Sequence, residues 1–98
     1  MSDQIMLCNA AKSAGIGPVL CYESSRNCLR IGARDSYTRW RPLTHSDDAL
    51  ALAVANPAID LKFVIQEAWQ AHDDQPSRLA YVRRKIVHVA AEVGRTMS

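Results

Sequence analysis

Five arginines and two aromatic residues lie within residues 26–41 and form the most distinctive chemical pattern in the sequence. The arginines are Arg26, Arg30, Arg34, Arg39 and Arg41, and the aromatic residues are Tyr37 and Trp40. Asp35 is the only acidic residue among them, so the segment carries a local charge of +4. Guanidinium groups bind phosphates and carboxylates, and aromatic rings stack on unpaired bases. The segment therefore predicts either a binding surface or a solvated sheet edge with Trp40 packed in the core. As partner-binding residues we predict Arg34, Tyr37, Arg39 and Arg41.

The sequence His45-Ser46-Asp47 contains the residue types of a hydrolytic triad. Neighbours in sequence point in different directions, whereas a triad needs its groups to converge in space. We interpret residues 44–48 as the cap of a helix instead. The sequence contains no paired carboxylate motif, phosphate-binding glycine loop or dinucleotide glycine pattern. We therefore predict a protein that is not an enzyme and has no cofactor.

The cysteines and histidines offer a weak candidate for a metal site. Cys21 and Cys28 would face each other if Ser24-Ser25 were a two-residue turn, with His45 and His72 as further ligands. Their spacing is not that of a zinc knuckle, and there is no second cysteine pair. We therefore predict no metal and buried, reduced thiols.

Length, charge and hydropathy bound the number of domains and the location of the protein. The chain has 98 residues, 48% of them hydrophobic, and a formal net charge of +2. A chain of this size forms one domain, residues 1–98, and its weak net charge by itself indicates no partner. The chain begins without a basic, apolar signal, and no stretch approaches a membrane span, so we predict a cytoplasmic protein with no membrane contact.

The first half of the chain predicts a helix and a hairpin. A helix capped by Asp3 should end near Ala14, where Gly15-Ile16-Gly17-Pro18 stops it. Residues 19–23 and 28–31 are β-prone and flank the polar residues 24–27, with Leu20, Tyr22, Leu29 and Ile31 on one face. Residues 37–42 should be extended before Pro42, as a strand or as a loop.

The second half predicts a helix, a strand and a long helix. Residues 49–55 should form a buried helix that ends at Asn56-Pro57. An alternation of period two then predicts a strand over Ile59, Leu61, Phe63 and Ile65. The apolar stripe of the last helix, which begins near Pro76, consists of Leu79, Val82, Ile86, Val89 and Val93. We expect the strand to pack against this stripe in one sheet-helix layer, with Phe63 and Ile86 both in the core.

The predicted order is thus helix, hairpin, helix, strand and long C-terminal helix. The economical arrangement is an α+β fold, with helices packed on a small, mainly antiparallel, three-stranded sheet. The stripe on the last helix would also suit packing against a second copy, so a homodimer is a further expectation.

Two segments of the sequence resemble a family of small tailed-phage and prophage proteins, the phage ABA-sandwich domain. The first is Trp40-Arg41-Pro42-Leu43-Thr44, which is followed by the acidic, alanine- and leucine-rich residues 47–53. The second is Arg83-Arg84-Lys85-Ile86-Val87 with residues 90–95, which is similar to the family's closing helix. Asn56-Pro57-Ala58 departs from the Leu-Gly-Ile usually found after the second helix. The resemblance covers roughly residues 37–97 and implies an α-β-α sandwich.

Members of that family have no established biochemical function, so the resemblance implies phage origin more than chemistry. Taken together with the missing catalytic templates, it leads us to expect a non-enzymatic phage or prophage accessory protein that binds a host or phage protein and modulates a host factor. One alternative is a small nucleic-acid-binding protein that uses residues 26–41. Another is an inhibitor of host defence, either restriction or CRISPR.

Overall fold

The chain forms four helices and three strands in the computed structural model, which describes residues 2–97. In chain order they are α1 (Asp3–Ser13), β1 (Val19–Glu23), β2 (Cys28–Ala33), β3 (Ser36–Trp40), α2 (Ser46–Ala55), α3 (Leu61–Ala71) and α4 (Gln75–Arg95). The predicted α+β class is confirmed, as is the three-stranded antiparallel sheet with helices packed on it. No helix within residues 2–97 has the length and apolarity needed to cross a bilayer.

The sheet is an antiparallel meander in the order β1-β2-β3. The predicted hairpin is confirmed, with Tyr22 opposite Leu29 and a turn over residues 24–27. A bulge between Val19 and Cys21 interrupts the register, and Leu20 is exposed. Residues 36–40 form the third strand, which pairs with β2. Gly32 has a φ of +122°, and a Cβ there would lie 2.7 Å from the Ser36 carbonyl oxygen, so β2 needs glycine where it approaches β3.

The two faces of the sheet differ in chemistry. Leu29, Ile31 and Trp40 pack into the core shared with the helices. The opposite face carries Arg30, Tyr37 and Arg39, which are half-buried or exposed. The helices therefore cover the apolar face, while the opposite face, called the open face below, stays accessible. A second helical layer, as in an α-β-α sandwich, is not seen on that face within residues 2–97.

Small residues bring α1 and α4 close together. Ala10 and Ala11 of α1, and Ala90 and Ala91 of α4, are fully buried. A Cβ at Gly94 would overlap the carbonyl oxygen of Asn9 on α1, so only glycine fits at this crossing. The α1 N-cap is Ser2, whose hydroxyl accepts from the Ile5 N–H, and not Asp3 as predicted.

The predicted strand at Ile59, Leu61, Phe63 and Ile65 is wrong, because these residues lead into and form α3. Asp60 caps this helix by accepting a hydrogen bond from the Phe63 N–H at 3.2 Å. Val64 and Ala68, one helical turn apart, are its buried residues. The side chains of Phe63 and Ile65 are 55% and 46% exposed, so Phe63 does not belong to the core and does not meet Ile86 there.

The burial of α2 and α4 also differs from the prediction. In α2, Leu50 and Val54 are exposed, so this apolar helix is buried on one side only. The predicted start of α4 near Pro76 is confirmed, with Asp74 as its N-cap. Its buried residues are Ile86, Val87, Ala90, Ala91 and Gly94. Of the predicted stripe, Ile86 is buried, whereas Leu79 is exposed.

Candidate binding face

The open face of the sheet is organised around the carboxylate of Glu23, the last residue of β1. The guanidinium of Arg26 lies 2.7 Å from Oε2, that of Arg30 2.8 Å from Oε1, and that of Arg39 3.2 Å from Oε1. The Glu23 side chain is only 7% exposed. These four residues are called the Glu23 cluster below. With three guanidinium groups and one carboxylate, the cluster has a net charge of +2.

The strand register explains why these groups meet. Arg30 on β2 is paired directly with Arg39 on β3, and like charges at paired positions repel each other. Glu23 lies next to them because β1 pairs with the other edge of β2, where Glu23 is opposite Cys28. Arg26 lies in the β1–β2 turn, three residues after Glu23. One carboxylate therefore relieves the repulsion between side chains from two strands and a turn.

Tyr37 completes this arrangement from β3. The Cζ atom of Arg30 lies 4.9 Å from the centroid of its ring, and that of Arg39 lies 5.8 Å away. A guanidinium over an aromatic face is attracted by the ring quadrupole. The two arginines are thus held both by a carboxylate and by a ring, which restricts their rotamers.

The cluster changes the acid-base properties of two groups. Hydrogen bonds from Arg26, and then from Arg30 and Arg39, lower the pKa of Glu23 to about 2, although burial opposes this shift. Burial raises the pKa of the neighbouring Cys28 thiol, and the negative charge of Glu23 acts in the same direction. Glu23 is therefore ionised at neutral pH and Cys28 is a protonated thiol.

The four predicted partner-binding residues are spread along β3 and its two ends, and they do not converge on one point. Tyr37 and Arg39 belong to the arrangement around Glu23. Arg34 is exposed in the β2–β3 turn, at the other end of the strand pair. Arg41 follows β3 and is half-buried, its backbone N–H donating to Asp48 Oδ2 at 2.8 Å. Its Nε is buried without a hydrogen-bond partner among residues 2–97.

Trp40 lies on the other side of the strand from its two arginine neighbours. Its side chain is 8% exposed and belongs to the core, as predicted for the residue before Arg41-Pro42. Arg39 and Arg41 both lie near the Cys28 thiol, where their positive charges act against the rise in its pKa. The alternation of side chains along a strand thus separates a structural tryptophan from two arginines on the open face.

Glu23, the central residue of the site, was not predicted from the sequence. It lies just before residues 26–41, the arginine-rich segment whose charge pattern indicated a binding surface. A usable signal was its position at the end of a predicted strand, three residues before Arg26 and next to the predicted turn. Strand register, which depends on the turn length, was needed to bring Arg30 and Arg39 to it.

The other predicted groups do not assemble into a reactive site. His45 is the N-cap residue of α2 but makes no side-chain capping bond, so the predicted cap at residues 44–48 is not formed by its side chain. Ser46 Oγ accepts from Arg83 Nη1 at 3.2 Å. Cys21 pairs with Arg30, and Cys28 with Glu23, so the two cysteines are not opposite each other. Within residues 2–97 no group of three or more His, Cys, Asp or Glu side chains could hold a metal ion.

A second basic region lies on α4, beside α1. A depression of about 450 Å³ there is lined by Met6, Tyr81, Arg84, Lys85 and His88. The guanidinium of Arg84 donates to both oxygens of Asp3 at 3.1 Å. Its charge is therefore neutralised within the chain, and the region is a weaker candidate for binding anions than the open face.

Comparisons with protein-family models, curated proteins and solved structures found no match. The resemblance to the phage domain therefore stays a prediction.

Proposed function

We propose that this chain is a non-enzymatic phage or prophage accessory protein, which binds an acidic surface of a host factor through the open face of its sheet. The observation that carries the proposal is the Glu23 cluster, in which three guanidinium groups share one buried carboxylate. Arg34 and Arg41 add positive charge at the two ends of β3. Arginines that are already ordered lose less side-chain entropy on binding, which favours them as interface anchors.

The chemistry of this face suits carboxylates of a protein partner. Each guanidinium has five N–H donors, and the contacts with Glu23 use only some of them. The remaining donors of Arg30 and Arg39, which are about one-third exposed, can form bidentate pairs with Asp or Glu side chains.

Nucleic acid is the second candidate, because phosphates also pair with arginine. The position of Tyr37 argues against base stacking, since the guanidinium groups of Arg30 and Arg39 already lie against its ring. A base could stack on Tyr37 only after displacing them. Phosphate contacts alone would give binding that weakens steeply with salt and has little sequence preference.

The class of host factor is a further part of the proposal. The resemblance to a phage family favours a factor in the host cytoplasm, with restriction or CRISPR defence proteins as candidates. These proteins contact nucleic acid through basic surfaces, so the positively charged open face would bind an acidic surface elsewhere on them.

A paired comparison of variants tests the proposed function. Arg39→Gln with Arg41→Gln removes two positive charges from the open face, and Gln at position 39 can still bond to Glu23. Lys62→Gln with Arg95→Gln removes two charges elsewhere and serves as the matched control. Tagged proteins are incubated with nuclease-treated host lysate, and the captured proteins are quantified by mass spectrometry.

We expect wild type and control to enrich the same host protein, and the Arg39/Arg41 variant to lose it at least tenfold. Identical captured sets from all three proteins would reject the open face as the binding site. A separate titration with single- and double-stranded oligonucleotides at low salt tests whether the chain binds nucleic acid, the second candidate. Binding that disappears between low and physiological salt would favour nucleic acid over a protein partner.

A further inference from the structure

The helical layer contains an apolar groove that is separate from the open face of the sheet. Two adjoining cavities of about 250 and 210 Å³ lie between α2, α3 and α4 and share Ile65, Leu79 and Val82 as lining residues. Leu50 and Leu61 complete the first cavity, and Trp69 lies at the end of the second. These residues define the helical groove.

The apolar lining of the groove is unusually accessible. Leu50, Ile65, Trp69 and Leu79 are 55%, 46%, 60% and 41% exposed. Single exposed apolar residues are common, but neighbours on one concave surface usually mark a place where another protein binds. Trp69 is also of a residue type that is enriched at protein–protein interfaces.

Two arginines on α4 border the apolar lining. On a helix with about 3.6 residues per turn, Leu79, Val82 and Ile86 fall between Arg78 on one side and Arg83 on the other. Both arginines line the groove. Apolar side chains flanked by two cations are complementary to a helix with an apolar stripe and acidic residues on both sides of it.

The charges of these two arginines are not neutralised within the chain. Arg78 Nε donates to the His72 carbonyl oxygen at 3.0 Å, and its guanidinium stacks on Trp69 with Cζ 3.5 Å from the ring centroid. Arg83 donates to the Leu43 carbonyl oxygen and to Ser46 Oγ. In the described part of the chain neither forms an ion pair, whereas five other arginines do.

The groove's net charge therefore selects an acidic occupant. Asp47 is the one carboxylate in its lining among residues 2–97, which leaves an excess of one positive charge. In a two-fold contact between copies of this chain, the same positive excess would face itself, so charge does not favour self-association here. The apolar floor likewise suits leucine-like side chains better than phosphates or sugars.

We propose that the helical groove binds an acidic amphipathic helix of a partner protein. The helix would place its apolar residues against Leu50, Ile65 and Leu79, and its flanking Asp or Glu residues against Arg78 and Arg83. Such helix-in-groove recognition uses anchors at positions i, i+3 or i+4, and i+7. This surface is distinct from the open face of the sheet, so it can be tested independently of the function proposed above.

A displayed library of amphipathic helical peptides tests the proposal with the intact chain as bait. Every member carries an apolar stripe, and the positions on both sides of the stripe vary among acidic, basic and neutral residues. We expect selection to enrich peptides with acidic flanks, which should bind at least tenfold more tightly than their basic-flanked counterparts by fluorescence polarisation. Enrichment without preference for acidic flanks, or no enrichment, would overturn the proposal.

Variants then locate the binding surface. Arg78→Glu with Arg83→Glu should reverse the preference from acidic to basic flanks, while Lys12→Glu with Arg95→Glu, which changes net charge equally at exposed positions outside both surfaces, should leave it unchanged. Leu79→Ser, at an exposed position, should weaken binding at least tenfold with an unaltered circular dichroism spectrum. If the two double variants changed the preference for flanking charge equally, the helical groove would not be the binding site. Sedimentation showing a dimer that Leu79→Ser dissociates would assign the groove to a second copy instead.

Discussion

A single carboxylate determines the character of the open face. Without Glu23, Arg30 and Arg39 would stand paired on adjacent strands with nothing between them to offset their repulsion. With it, three arginines from two strands and a turn are held in fixed positions. Glu23 therefore has a structural role in the sheet and a preparatory role in the proposed binding.

The pH dependence of stability tests this role. The pKa of Glu23 is lowered from 4.5 to about 2, mainly by Arg26. A carboxyl with a lowered folded-state pKa stabilises the fold above its unfolded pKa and loses that contribution as pH falls through its folded pKa. We therefore expect Glu23→Gln to be less stable than wild type at pH 7. The difference should shrink between pH 4.5 and about 2.

Urea unfolding of both proteins across this pH range measures the effect. The comparison with the variant is needed because Asp3, Asp74 and Glu92 also have lowered pKa values and are present in both proteins. A stability difference that does not change with pH would show that Glu23 acts through its shape and not through its charge.

The crossing of α1 and α4 gives a second prediction at a single residue. Replacing an interior helical glycine with alanine ordinarily stabilises a helix by about 1 kcal/mol. At Gly94 the added Cβ would overlap the Asn9 carbonyl oxygen and lie 2.7 Å from the carbonyl carbon, both backbone atoms that cannot move independently. We expect Gly94→Ala to destabilise the protein by roughly 1–3 kcal/mol in urea unfolding. A stabilised variant would show that the helices can separate without cost.

Among the elements, α3 is a helix where the alternating sequence pattern predicted a strand. Ile59, Leu61, Phe63 and Ile65 alternate as a strand does, yet Leu61, Val64 and Ala68 also recur at helical spacing. A short apolar run fits both periods. Tertiary contact decides between helix and strand here, because α3 packs on α4 through Val64 and Ala68. The Asp60 cap was the available signal in the sequence.

Other elements could be predicted because their signals are local. The hairpin turn at residues 24–27, the stop at Gly15-Ile16-Gly17-Pro18 and the start of α4 at Pro76 each depend on a few neighbouring residues. The buried side of α4 could not be predicted in the same way. Close contact with α1 moves burial toward Ala90, Ala91 and Gly94, which are small and carry little hydrophobic signal.

The helical state of α3 predicts the effect of Phe63→Ala, and Leu52→Ala in α2 provides the comparison with a core position. Phe63 is 55% exposed, so Phe63→Ala should change the free energy of unfolding by less than about 1 kcal/mol. Leu52 of α2 is almost fully buried, and Leu52→Ala should cost roughly 2–5 kcal/mol. Thermal or urea unfolding of the two variants distinguishes the helix α3 from the strand that the sequence pattern predicted. A large loss for Phe63→Ala would favour the strand that the sequence pattern predicted.

In the whole molecule, α1 connects the sheet to the other helices. It packs along α4 and also contacts β2. Asp3 adds a polar connection, since its carboxylate accepts from Asn27 in the β1–β2 turn and from Arg84 on α4. The sheet and the helical layer are therefore both in contact with this helix, and we expect them to unfold together.

Leu7 is the residue at which this coupling can be tested. It is completely buried in α1, so Leu7→Ala should cost roughly 2–5 kcal/mol. The loss should appear in the sheet and in the helices together. Trp40 reports on the sheet by fluorescence when Trp69, the other tryptophan, is changed to Phe, and far-ultraviolet circular dichroism reports mainly on the helices.

In that Trp69→Phe background we expect both signals to follow one urea transition, and Leu7→Ala to move both to the same lower midpoint. Leu50→Ala, on an exposed part of α2, is the control and should move neither by much. If the fluorescence transition separated from the circular dichroism transition, the sheet and helical layer would be independent units. The two proposed binding surfaces would then have to be treated as energetically uncoupled, because α1 could not transmit a change from one to the other.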